Sequence, residues 1–297
     1  MTAAATPLRP PASPCVGVCV IDEAKSLCLG CARTVDEIAV WGSAADAFRA
    51  EVWADLPARA VEIGLDVRRL DWSEGRLLDE MARIFAEARA TFVVGVYGAV
   101  GEVMRDADEA FQSRHEGAVL CLTTARSALR IEAASYLSAF EIRRANRPPL
   151  IALAVPEGRA GIAGPAALTD LGSDGRALLQ RDAGGRRFDV GLGRRAARFT
   201  IRCSESLAAD ISPHCGAPWP DCLARIGAQV LAESPVRVVE APCTRAEVDA
   251  MIPPPGRASP AGPHTHLLPD HIAQGFDTPP TIPLPKGFVL SALIYPH

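Results

Sequence analysis

Lysine is nearly missing from this chain: of 31 basic residues only Lys25 and Lys286 are lysines, and 35 acidic residues leave a formal net charge of −4. No general positive field exists to gather nucleic acid or an anionic membrane surface, so neither is expected as a partner. The basic charge is almost all arginine and accompanies abundant Ala, Gly and Pro, a bias that GC-rich coding produces. Long apolar runs are missing too. No stretch approaches the roughly 20 residues of a membrane span, and the opening MTAAATPLRPPASP carries no apolar core of a secretory signal. The chain has no P-loop, no Gly-x-Ser-x-Gly elbow and no internal repeat. These absences argue against a phosphate cradle, a serine-hydrolase elbow and a solenoid in turn.

What is present is an ordinary folded composition, 48% apolar and 22% charged over 297 residues, enough for two domains. Nine cysteines without an export signal point to a reducing compartment, the cytoplasm, where close thiol pairs bind metal rather than oxidise. Four of them crowd together as C-x3-C-x8-C-x2-C: Cys15, Cys19, Cys28 and Cys31. Two close pairs on a short loop can bring four thiolates to the corners of one tetrahedron. That arrangement serves zinc or an iron–sulfur cluster, and spacing alone does not separate them.

The surroundings suit a small stapled module over residues 12–60, behind a flexible tail at 1–11. Gly17 and Gly30 lie inside the pairs, where tight turns can aim amide N–H groups at sulfur. Val18–Ile21 reads as a short strand and Asp22–Ser26 as its turn, with Val16, Val18, Val20, Leu27 and Leu29 as an apolar jacket. Thr34 and Glu37 form a capping box for a first helix ending at Gly42. Ser43 is expected to cap a second, closing near Leu56-Pro57. Residues 1–60 carry five Arg/Lys against seven Asp/Glu, the wrong sign for a phosphate-binding zinc knuckle.

The segment SPCVGVC, CLGCARTVDEIAVW and DLPAR resembles a small cysteine-rich bacterial family of unknown function whose members are described as iron–sulfur proteins. The resemblance covers both cysteine pairs and the Thr-x-Asp-Glu-Ile helix start. It implies that Cys15, Cys19, Cys28 and Cys31 ligate a cluster that transfers electrons, senses redox state or holds the module together. The alternative is a structural zinc module that contacts a protein partner.

Residues 72–297 read as a larger α+β domain with mainly antiparallel strands. Ser73 opens a helix with a stripe of Leu77, Leu78, Met81, Ile84, Phe85 and Ala88. Phe92–Met104 reads as one bent, buried strand, Ala118–Thr123 with Ser127–Glu132 as a strand pair, and Leu150–Val155 as another strand. Residues 156–187 suggest a loop with a short helix near Ala177. The alternation at Phe188–Leu192 and Phe199–Cys203 suggests a hairpin, followed by a helix over Trp219–Ala232 and a strand at Val236–Glu240.

Three further places carry possible chemistry. Gly191-Leu-Gly193-Arg-Arg-Ala196 matches a dinucleotide fingerprint on paper. The residues after it alternate like a strand, so a hairpin bend is the better reading. Arg186, Arg187, Arg194, Arg195, Arg198 and Arg202 form either an anion site or, more simply, a solvated strand face. His264-Thr-His266-Leu-Leu-Pro-Asp-His271 is the most unusual stretch after the cysteines. In an extended segment His264 and His266 point the same way, so the two imidazoles can share a metal with His271 or Asp270 completing the set. The prolines from Pro253 to Pro285 imply an irregular loop there. The HTHLLP element also resembles one in an uncharacterised proteobacterial family. A metal-dependent enzyme built on these histidines is the second functional reading. His214-Cys215 and Asp221-Cys222 offer a weaker metal or thiol site, while Cys121, Cys203 and Cys243 read as small buried apolar residues.

Overall fold

The computed structural model describes residues 13–162, 164–193, 195–254, 256–258 and 261–297. The expected tail at 1–11 and Arg194 lie outside them. The first segment comprises β1 (Ile21–Asp22), β2 (Leu27–Cys28), α1 (Val35–Val40) and α2 (Asp46–Glu62). Then come β3 (Val67–Arg69), α3 (Glu74–Ala86), β4 (Ala90–Val96), β5 (Ala99–Val103), β6 (Gln112–Glu116), β7 (Val119–Thr123) and β8 (Ser127–Glu132). β9 (Ser138–Arg144), β10 (Arg147–Pro156), β11 (Thr169–Ser173), β12 (Arg186–Asp189) and β13 (Arg198–Cys203) follow. The chain continues through α4 (Glu205–Ile211), α5 (Trp219–Glu233), β14 (Val236–Ala241), β15 (Thr244–Val248), β16 (His264–Leu267), α6 (Pro269–Ala273) and β17 (Phe288–Pro296).

Apart from the β1–β2 hairpin, the strands make two antiparallel sheets. One is ordered β16-β5-β4-β17-β10-β9-β3 and the other β11-β12-β13-β14-β15-β8-β7-β6. The protein is therefore α+β. The sheets pack face to face where β4 and β5 meet β14 and β15. A Cβ on Gly101 would stand 3.2 Å from both Ala246 Cβ and Val239 Cγ2, so only glycine lets them approach this closely. Leu77, Leu78, Met81 and Phe85 of α3 enter the same core, each worth about 2 kcal/mol of apolar burial. The outer face of the seven-stranded sheet carries a second apolar cluster. Phe140, Ile142, Leu290 and Leu293 meet Val16 there, which arrives from the cysteine segment.

Several expectations change. Phe92–Met104 is a hairpin rather than one strand, because Tyr97-Gly98 turns the chain, with Gly98 at φ +95°. The prolines of α2 and β10 are also tolerated. α2 runs through Pro57 to Glu62 rather than closing there, and β10 includes Pro148 and Pro149. Ser43 does not cap α2; its hydroxyl donates to the Val40 carbonyl and closes α1 instead. The Thr34–Glu37 capping box forms in full. Val18–Val20 is not a strand, and Val18, Val20 and Leu29 are exposed, so only Val16 and Leu27 of the expected jacket are buried. No helix forms near Ala177, where the chain instead runs as a loop over the outside of the eight-stranded sheet.

Candidate metal centres

The two cysteine pairs occupy neighbouring loops held together by backbone contacts. The Leu29 N–H donates to the Val20 carbonyl at 2.7 Å, and the Cys28 thiol donates to the Val18 carbonyl at 3.3 Å. Gly30 makes the approach possible: a Cβ there would lie 2.3 Å from the Val18 oxygen. Within each loop an amide addresses a sulfur. Gly17 N–H donates to Cys15 Sγ at 3.3 Å and Gly30 N–H to Cys28 Sγ at 3.4 Å, contacts of the kind that support a thiolate ligand. Behind the second pair, the Ala32 N–H returns to the Cys28 carbonyl at 2.7 Å with Ala32 at φ +58°. Arg33 Nε donates to Cys31 Sγ at 3.3 Å, and its guanidinium sits 4.5 Å from the Trp41 ring centroid.

Electrostatics show that the thiols sense one another. Cys15, with some desolvation and Cys28, pushes the Cys19 thiol above its ordinary value. Burial pushes Cys31 up, Arg33 opposes it, and Cys28 adds to the rise. Sulfurs crowded this way resist joint ionisation unless a cation sits among them. Cys28 and Cys31 are buried and Cys19 is exposed. Behind them lies a small core of Ala32, Trp41, Val52, Trp53, Leu56 and Ala60, and Arg59 reaches Glu37 with both contacts at 2.8 Å.

The histidine stretch is a strand, not an irregular loop. β16 pairs with β5 at the sheet edge, His264 opposite Glu102 and His266 opposite Val100. The prolines delimit this strand without entering it, which is where edge strands accept them. His264 and His266 do point the same way, with Nε2 atoms 2.9 Å apart. Their third partner is Glu102: Oε2 stands 3.4 Å from His264 Nε2 and Oε1 3.3 Å from His266 Nε2. Asp270 and His271, the expected completions, do not join. His271 instead stacks on Tyr97, centroids 4.5 Å apart and planes 7° from parallel, while Asp270 is exposed on α6. Among the described residues, Glu102, His264 and His266 make the one group of three or more candidate ligands whose atoms all lie within 4.8 Å of each other. Glu102 carried no signal in the sequence, because only strand pairing brings it to the histidines.

Glu102 and His266 of this group border a cavity of about 430 Å³ on the outer face of the seven-stranded sheet. Val93, Val100, Leu290 and Leu293 form its apolar floor, with Tyr97, His271 and Tyr295 around it. Burial, opposed by Arg144 and reinforced by Glu102, pushes the Tyr295 phenol above its ordinary value.

Of the described arginines in the set from Arg186 to Arg202, Arg198 and Arg202 are buried and Arg187 is half-buried, while Arg186 and Arg195 are exposed, and all five are held in ion pairs. Arg202 is 0% exposed and pairs with Asp174 at 2.9 Å and Glu247 at 3.0 Å. Arg245 joins the same two carboxylates and Glu240, which also receives Arg187 at 3.2 Å. Leu178 and Leu179 N–H groups donate to Glu247 at 3.0 and 3.1 Å, so the loop expected to be a helix caps the network. Arg198 pairs with Asp189 across the β12–β13 bend, and Gly193 packs on its guanidinium. That bend is the nucleotide-like glycine motif, and the next described element is the strand β13 rather than a helix. Arg186 pairs with Asp170 and Arg195 with Asp277. Of the remaining cysteines, Cys121, Cys203 and Cys222 are buried and Cys215 is exposed, and burial pushes the Cys203 thiol to about 12.

Among the described residues, no helix is long and apolar enough to cross a membrane. The model of a family of unknown function, DUF6925, matches residues 76–297. That of a protein of unknown function, DUF1289, matches residues 13–60, the span of both cysteine pairs and their two helices. Neither match names a metal. No curated protein and no solved structure gives a significant match.

Proposed function

We propose, from the premise that this chain belongs over residues 76–297 to the DUF6925 family of unknown function, that its front segment holds an iron–sulfur centre on Cys15, Cys19, Cys28 and Cys31. The choice of cluster over single ion rests on the resemblance of this segment to the cysteine-rich family described as iron–sulfur proteins, and one observation carries the thiolate centre itself. The amides of Gly17 and Gly30 and the guanidinium of Arg33 are already aimed at sulfur, and such donors stabilise thiolate and tune a cluster's potential. The group itself supplies one-electron exchange or a structural staple. The protein's part is to fix the loops, screen Cys28 and Cys31 from water and leave Cys19 at the surface.

A structural zinc is the second reading, favoured by the pair spacings C-x3-C and C-x2-C. A core cluster of six buried side chains in 48 residues gains most from any metal staple. The experiment is anaerobic purification of the full chain followed by visible spectroscopy and assays for iron, acid-labile sulfide and zinc. Brown protein with iron and sulfide in about equal amounts supports the cluster. Colourless protein with one zinc replaces it with the second reading, and protein with neither metal ends both.

A further inference from the structure

We infer that Glu102, His264 and His266 form a second, independent site for one divalent transition metal. Its open coordination positions face the 430 Å³ cavity, which takes a small, largely apolar organic molecule bearing an oxygen donor. The three donor separations are 2.9, 3.3 and 3.4 Å. Ligands about 2.1 Å from a metal stand about 3.0 Å apart across a right angle and about 3.4 Å apart in a tetrahedron. The triangle therefore matches one face of a coordination polyhedron, with the metal about 1 Å above its plane.

A second observation fixes the donor state. His264 Nδ1–H donates to the Gly262 carbonyl at 2.7 Å, which leaves the Nε2 lone pair directed into the cluster. A backbone carbonyl behind the far ring nitrogen is the usual support of a metal-bound imidazole. The strand pairing supplies the rest, because His264 lies directly opposite Glu102 in an antiparallel ladder and His266 is one same-face step along. Two imidazoles and one carboxylate leave positions free for water or a ligand.

The cavity decides the ligand class. Among the described residues, no Arg or Lys lines it. A phosphate or multiply charged acid would thus find the metal but no Arg or Lys among the described lining residues, at a high desolvation cost. Val93, Val100, Leu290 and Leu293 offer apolar contact, and the stacked Tyr97–His271 pair offers a flat wall. The geometry suits an aromatic or aliphatic body presenting one or two oxygens to the metal.

The test is a Co(II) titration of the full chain with its N-terminal centre left as isolated. Iron, sulfide and zinc are measured before and after, so the fate of the cysteine centre is recorded separately. One additional equivalent of cobalt is expected, with d–d absorption and no new thiolate charge-transfer band. Glu102→Gln, which keeps the shape of the side chain, should weaken uptake at least tenfold, and His264→Ala/His266→Ala should abolish it without changing the N-terminal metal. No uptake by wild-type protein, or equal uptake by both variants with unchanged circular dichroism, overturns the site. Benzohydroxamate should then shift the cobalt bands at a concentration at least tenfold lower than acetohydroxamate, and inorganic phosphate should leave them unchanged. Equal response to the two hydroxamates, or a response to phosphate, overturns the ligand class.

Discussion

Cys15, Cys19, Cys28 and Cys31 come together through one short hairpin and two hydrogen-bonded loops, whereas Glu102 meets His264 and His266 only because a late strand returns to pair with β5. The first cluster is local and rests on a core of six buried side chains. The second is assembled across most of the chain on a sheet backed by the main core. A centre of the first kind supports its own fold, while one of the second kind is supported by a fold that exists without it. Both lie on the same face of the seven-stranded sheet: Val16 of the cysteine loop packs on the cluster containing Leu290 and Leu293, and those two leucines also floor the cavity.

The sharpest way to break this contrast is to remove ligands from each side. Cys28→Ser/Cys31→Ser should cost the N-terminal metal entirely and leave residues 13–60 open to proteolysis, while the remainder keeps its thermal transition. If limited proteolysis shows the segment as resistant as before, the metal does not staple it. Removing His264 and His266 should leave both the protease pattern and the unfolding temperature nearly unchanged.

Next in size is the buried ion network, which belongs to neither centre. Arg202→Ala strands Asp174 and Glu247 without their partner inside the fold. It should cost about 3–5 kcal/mol in urea unfolding and leave the metal content of soluble protein unchanged. A loss below about 1 kcal/mol would show that water reaches these carboxylates.

Gly30→Ala sharpens the comparison from the backbone side. The new Cβ meets the Val18 oxygen, so the cysteine loops must separate, at a cost of about 1–3 kcal/mol to the module. Metal retention should fall with it. Gly98→Ala is the matching change at the other centre: its Cβ would lie 2.7 Å from Ile272 N, on a residue at φ +95°. That change should displace His271 and weaken hydroxamate binding more than cobalt binding.

Acid gives a smaller, graded effect. Burial alone would raise the carboxyls of Asp174 and Glu240, but their arginine partners outweigh it and hold both below their ordinary values. Folded values under unfolded ones mean stability that is present above about pH 4.5 and is lost as pH falls through the depressed values. Urea midpoints measured from pH 7 to pH 2.5 should be flat above that range and fall below it. Smallest is Thr34→Ala, which removes one half of the capping box and should cost about 1 kcal/mol within the module.

The local arrangement of the cysteine loops was legible because the cysteines, turn glycines and helix cap all lie within one short stretch. Thr34, Glu37, Gly17 and Gly30 act where their spacing places them. The distant centre was half legible. A two-residue period put both histidines on one side, but strand register alone selects Glu102 over Asp270. The prolines around 253–285 misdirected the reading because β16 is an edge strand with a free flank. The arginines misled for a related reason: alternation identified their face, but nothing near Arg202 in the chain announces that Asp174 and Glu247 will cover it.

The central claim, that four N-terminal thiolates share one inorganic centre, is tested most directly by X-ray absorption at the metal edge. The sample is anaerobically isolated His264→Ala/His266→Ala protein, in which the second site is disabled. The account predicts a first shell of sulfur alone at about 2.3 Å, with an iron neighbour beyond it. A shell of nitrogen and oxygen, or a metal-free protein, would contradict it.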